Sequence, residues 1–122
     1  MKLRSTVAAA LGALTLVLAL PGSAVAATGE FSYKYVTDLG HEEVIVLTDP
    51  HSGKCINLRA VGDDKLLPGY APHNRTDTPV VVYRGASCTG AEWRLRANGN
   101  PTRDDLLVRS VRFEDPSTAQ ES

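Results

Sequence analysis

The sequence predicts an all-β domain made of two similar halves around one core, and three observations lead there. A stretch recurs: Gly53-Lys54-Cys55-Ile56-Asn57-Leu58-Arg59-Ala60 is matched by Gly90-Ala91-Glu92-Trp93-Arg94-Leu95-Arg96-Ala97, without a gap, at the constant offset that carries Gly53 onto Gly90. The same offset places Gly62 on Gly99, Arg75 on Arg112, Asp77 on Glu114, Pro79 on Pro116 and Val44-Ile45-Val46 on Val81-Val82-Tyr83. Two units are too few for a solenoid, so the repeat implies one domain of paired halves. Short apolar runs alternate with clusters of Gly, Pro, Asn and Asp, the punctuation of strands and turns. Beyond the first residues, no three-to-four periodicity runs long enough for a sizeable helix. Many short strands of this kind form a sandwich or a barrel.

Residues 1–26 read as a cleaved secretory signal peptide. Lys2 and Arg4 provide the positive start, residues 7–20 are almost wholly apolar, and Pro21-Gly22-Ser23 precedes the small-residue site Ala24-Val25-Ala26. The apolar run is shorter than the about 20 residues that a bilayer span requires, and no lipobox cysteine follows it. The expected product is secreted, extracellular and free of the membrane once cleaved. Of the 122 residues 96 remain, the size of one small domain. The whole chain carries 13 basic and 14 acidic residues; loss of Lys2 and Arg4 leaves 11 against 14, a formal charge of −3. A mildly acidic, mixed surface argues against nucleic acid or an anionic membrane as the main partner.

Export into an oxidising compartment predicts that the two cysteines pair, Cys55 with Cys88. The loop so closed holds residues 55–88, worth about 3.5 to 4 kcal/mol by chain-entropy reasoning. The bond falls two residues after the first repeat glycine and two before the second, so it staples one half to the other. A reactive thiol would need a free cysteine or a C-x-x-C pair.

In the N-terminal segment, 27–43, Phe31, Tyr33 and Tyr35 alternate with Ser32 and Lys34, which predicts one extra strand with three rings on one face. The simpler reading lays those rings on the core. The sharper one makes them an exposed aromatic surface for a sugar or a protein. The halves then run over 44–79 and 80–115. The first opens with the continuous apolar run 44–47, read as a buried strand, and continues with Ile56, Leu58 and Ala60 facing one way. The second opens with the buried strand 80–83. Trp93, Leu95 and Ala97 then alternate with Glu92, Arg94 and Arg96, and Val111 and Phe113 turn inward. Residues 116–122 read as a flexible tail.

Tyr83-Arg84-Gly85-Ala86-Ser87-Cys88-Thr89-Gly90 resembles the βγ-crystallin Greek-key signature, in which an aromatic is followed by a glycine (here Tyr83 and Gly90) and, further on, by a serine at the spacing of Ser110. The glycine permits a folded-over hairpin at positive φ, and the serine bonds back onto it. In the first half Gly53 is in place, while Val46 stands where the aromatic would and His73 where the serine would. The resemblance covers about residues 44–114. It implies two Greek-key motifs packed as a small β-sandwich, similar to secreted actinobacterial proteins of a metalloprotease-inhibitor and killer-toxin-like group. A rigid loop would then engage an extracellular protease or another protein. The loops that suit this role are 61–70, offering Lys65, Leu66 and Leu67, and 98–105, offering Asn100. The resemblance also brings calcium into view, with the motif falling on 105–110. There Leu106 replaces an acid and Arg109 a hydroxyl, and a cation beside a metal that needs 6 to 8 oxygens opposes binding. The first-half equivalent, 68–73, has no carboxylate. An envelope- or stress-associated structural domain with weak or lost calcium binding is the alternative.

No enzymatic activity and no cofactor are expected. No G-x-S-x-G, H-E-x-x-H or phosphate loop is present, and a guanyl-specific ribonuclease would need a helix and a Glu/Arg/His set that are lacking. His41, His51 and His73 lack zinc-ligand spacing. Asp63-Asp64 and Asp104-Asp105 read as solvated loop acids. Arg94 with Arg96 and Arg109 with Arg112 read as solvated faces, with an anion patch as the rival. Asn74-Arg75-Thr76 matches a glycosylation acceptor, discounted because the export signal has a bacterial character.

Overall fold

The aromatic alternation is the start of the core. β1 (Gly29–Val36) runs through the middle of a sheet and aims Phe31 and Tyr33 inward, both fully buried. The computed structural model describes residues 26–115; the expected signal peptide, apart from Ala26, and the expected tail lie outside the described residues. Following β1 are β2 (Glu42–Thr48), β3 (Cys55–Asn57), β4 (Gly69–Thr76), β5 (Val80–Tyr83), β6 (Glu92–Leu95), β7 (Leu107–Val108) and β8 (Ser110–Phe113). Among the described residues these strands form two antiparallel sheets and no helix, in the orders β2-β1-β4-β7 and β3-β8-β5-β6.

The connectivity exchanges one strand in each direction. β3 follows β2 in the chain but pairs with β8 of the other sheet, while β7 crosses back to pair with β4. Each sheet is thus three strands of one half plus one strand of the other. Between the sheets lie Phe31, Tyr33 and Ile45 from the first and Val80, Val82, Val111 and Phe113 from the second, with Leu58 and Val61 from the connection after β3. Phe31 meets Phe113 edge to face at 5.5 Å between ring centroids, a favoured geometry for aromatic pairs. Tyr33 also buries its hydroxyl, which donates to the Arg59 carbonyl at 2.9 Å. Burial pushes the Tyr33 phenol up to about 12.

Several expectations require correction. The strand expected in 27–43 is present as β1, and it is central in its sheet, paired with β2 from Glu30↔Thr48 to Val36↔Glu42 and with β4 on its other side. Strands β1 to β4 come from residues 29–76 and β5 to β8 from residues 80–113. The repeat offset lays β2 over β5, and these are not equivalent, because β2 is an edge strand with one partner and β5 a central strand with two. What repeats along that offset is a pattern of apolar strand, glycine turn and alternating strand. Being an edge strand also explains why the run 44–47 is not buried throughout. Ile45 faces the core, while Val44 and Val46 are about half exposed on the outer face.

Candidate functional site

The connection between β3 and β4 carries the first candidate loop. Its base is plugged into the core by Leu58 and Val61. Asp63 then folds a tight turn: its carboxylate accepts the Lys65 N–H at 2.8 Å and its carbonyl accepts the Leu66 N–H at 2.9 Å. An Asp bonding the backbone two residues on is the usual chemistry of such turns. Arg109, on the segment between β7 and β8, fastens the turn from beneath. Its guanidinium donates to the carbonyls of Val61 at 3.2 Å and Asp63 at 2.6 Å and pairs with Asp64 at 3.5 Å. Only 13% of that side chain is exposed, so Arg109 is not part of a solvated face. The difference arises because the carbonyl of the buried Val61 needs a donor, which Arg109 supplies while sharing the Asp63 carbonyl with the Leu66 N–H. Above this base, Leu66 and Leu67 stand out into solvent at 49% and 70% exposure.

The neighbouring hairpin braces the same loop. Asp64 accepts the Ala86 N–H at 3.0 Å, and Asn57 accepts the Ser87 N–H at 2.7 Å. The disulfide Cys55–Cys88, with 5.9 Å between Cα atoms, ties β3 to this hairpin. The hairpin geometry expected from the sequence is present: Gly90 has φ +84°, and the Ser110 hydroxyl donates to the Gly85 carbonyl at 2.7 Å while accepting the Cys88 N–H at 2.8 Å. Ser87 and Cys88 take positive φ as well, an uncommon conformation for residues with a Cβ. The Ser110 hydroxyl and the disulfide both hold Cys88, while Asn57 holds the Ser87 N–H.

The second candidate loop, containing Asn100, is anchored on β4. Asn98 and Gly99 donate to the carbonyls of Thr76 and Asn74 at 2.9 and 3.0 Å, and the Thr102 hydroxyl donates to the Pro72 carbonyl. Lys65 and Leu66 line one depression and Asn100 another, so the sequence-derived loop residues do not converge on one site. Phe31 and Tyr33 form no surface at all; the proposed aromatic face is core, leaving only Tyr35 partly accessible, with its hydroxyl near Glu43. Asn74, whose match to a glycosylation acceptor is discounted, is 1% exposed, and its amide donates to the carbonyls of Thr78 and Arg96.

Among the described residues no group of three or more His, Cys, Asp or Glu side chains is placed to hold a metal ion. Asp104 and Asp105 are well exposed, beside Lys34 and Arg103 respectively.

Sequence reasoning missed a cleft of about 560 Å³ at the open side of the sandwich. Trp93 stands opposite Val82 in the β5–β6 register and so shares the core-facing side of its sheet. Yet β6 is an edge strand, and 45% of Trp93 remains exposed. Arg84, Pro101 and Leu106 complete the walls. Alternation could assign Trp93 to the inner face; only strand order reveals that nothing covers it.

The fold and these surfaces define a disulfide-tethered, two-sheet β domain with braced loops. No protein family, no curated protein and no solved structure matches the chain.

Proposed function

We propose that this chain is a secreted, non-catalytic binding protein of βγ-crystallin-like, double Greek-key architecture, which presents the loop around Lys65-Leu66-Leu67 to an extracellular protease. The observation that carries this reading is a loop whose tip is apolar and exposed while its base is fixed by Asp63, Asp64 and Arg109. A loop ordered before binding loses little conformational entropy on binding, which is how rigid inhibitors gain affinity. The exchange of β3 and β7 between the sheets, together with the Ser110 bonds across the 84–90 hairpin, supports the architectural part.

The test is an inhibition assay of the processed protein against a panel of extracellular proteases. Stoichiometric inhibition of at least one is expected, with loss of inhibition in Lys65→Gly and in the paired Leu66→Ala, Leu67→Ala variant. If no protease is inhibited, a structural domain with lost calcium binding becomes the better account. Arg109 favours that second reading, because its guanidinium already supplies a positive charge to the carbonyls of Val61 and Asp63 and to Asp64. Under it, calcium leaves the melting temperature unmoved.

A further inference from the structure

We infer that the cleft beside Trp93 is a binding site for an acidic saccharide, a pyranose ring that carries a carboxylate. This surface is distinct from the Lys65–Leu67 loop, and the inference does not depend on that loop's role. The volume, about 560 Å³, falls in the range of small-ligand sites. One wall is the flat indole of Trp93, held on the core-facing side of an edge strand and left uncovered. Leu106, Leu107 and Pro101 add apolar surface. A half-exposed indole in a concave site of mixed polar and apolar lining matches the C–H face of a sugar ring, the amphipathic contact that Trp makes well.

The polar groups narrow the ligand further. The guanidinium of Arg84 makes no hydrogen bond or ion pair with any described residue, although it lines the cleft. It is an open, planar donor fork, and its best partner is a carboxylate. Asp105 supplies the opposite chemistry. Both of its oxygens accept at 3.0 Å from Arg103, itself on the cleft wall, which offsets its charge, and each retains a lone pair. Thr102 spends its hydroxyl hydrogen on the Pro72 carbonyl, so toward the cleft it too is an acceptor. Those acceptors require hydroxyl donors from the ligand. One carboxylate for Arg84, several hydroxyls for Asp105 and Thr102, and an apolar ring face for Trp93 together describe a uronic acid unit. An acidic peptide would satisfy Arg84 but bring no hydroxyls.

Trp93 is the only tryptophan of the chain, so intrinsic fluorescence reads this cleft directly. The experiment titrates the processed protein with trigalacturonic acid, its methyl ester and a triglutamate peptide. A saturable change in Trp93 emission is expected with the free acid. Binding should weaken by about tenfold or more with the ester, and equally with the free acid after Arg84→Gln, as expected for loss of a charge-assisted hydrogen bond. Arg84 is exposed, so that variant keeps its fold, which circular dichroism checks. The inference is overturned by the absence of a saturable change, by an ester that binds as well as the acid, or by triglutamate matching the trisaccharide.

Discussion

Asn74 shows how much of this small domain rests on single polar side chains. It is buried on β4, donates its amide to the carbonyls of Thr78 and Arg96 at 2.8 and 3.0 Å, and accepts from the N–H and hydroxyl of Thr76. It thereby links a strand of one sheet, the turn into the second half and the end of β6. Asn74→Ala removes both the donors and the acceptor while their partners at Thr76 and Thr78 stay buried. Each polar group left unpaired costs about 1–3 kcal/mol, so urea unfolding should show a loss of at least that size; a loss within experimental error would refute the network's importance. Asp77, in the adjacent turn, accepts the Thr28 N–H at 2.9 Å and the Thr78 hydroxyl at 2.8 Å. The bond from the Thr28 N–H, then that from Thr78, hold its carboxyl below the ordinary 3.8. A depressed folded-state value means that the ionised form favours folding. The contribution is therefore complete above pH 3.8 and disappears as pH falls through the folded-state value. Asp77→Asn is expected to be less stable than the parent near neutral pH, with the gap closing below 3.8. A gap of constant size across that range would contradict the assignment.

At the scale of elements, the hairpin 84–90 and β3 depend on one another. β3 has only three residues and one strand partner, β8. Its hold on the structure is reinforced by the disulfide to Cys88 and by the Asn57 bond to Ser87. Replacing both cysteines, Cys55→Ser with Cys88→Ser, is expected to cost about 2–5 kcal/mol. It should also speed hydrogen exchange at the residue 88 amide, which Ser110 alone would then hold; an exchange rate unchanged from the parent would separate the hairpin from the disulfide. Much at this scale was legible in the sequence. The hairpin glycine and its serine are signalled by the motif they resemble, the cysteine pair by there being two, the buried strand β5 by its apolar run, and the inward face of β8 by Val111 and Phe113. What escaped was position within a sheet. Whether a strand lies at an edge or in the centre is a property of its neighbours. For that reason Val44 and Val46, in a run read as a buried strand, are half exposed, while β1 read as an addition and is central. Arg109 escaped for a related reason: its loop partners lie more than forty residues away in the chain.

The exchange of strands governs the molecule as a whole. Without β7, β4 would become an exposed edge along Gly69 and Tyr70; without β3, β8 would lose its partners at Cys55, Ile56 and Asn57. The core repeats that dependence, because Phe31 of one half packs its ring against Phe113 of the other and the disulfide crosses between halves. Neither half can bury its own apolar face alone, and a domain of this size has little stability to spare. Unfolding should accordingly be all-or-none. Trp93 fluorescence follows the second sheet, and amide signals of β1 and β2 resolved by NMR follow the first. Under urea the two probes should share one midpoint and one slope, and a chain ending before β5 should remain unfolded because its β3 has no strand to join. If instead the β1–β2 amides lose their native signals at a urea concentration where Trp93 emission is still native, the halves fold as separate units, and the exchanged strands do not couple them.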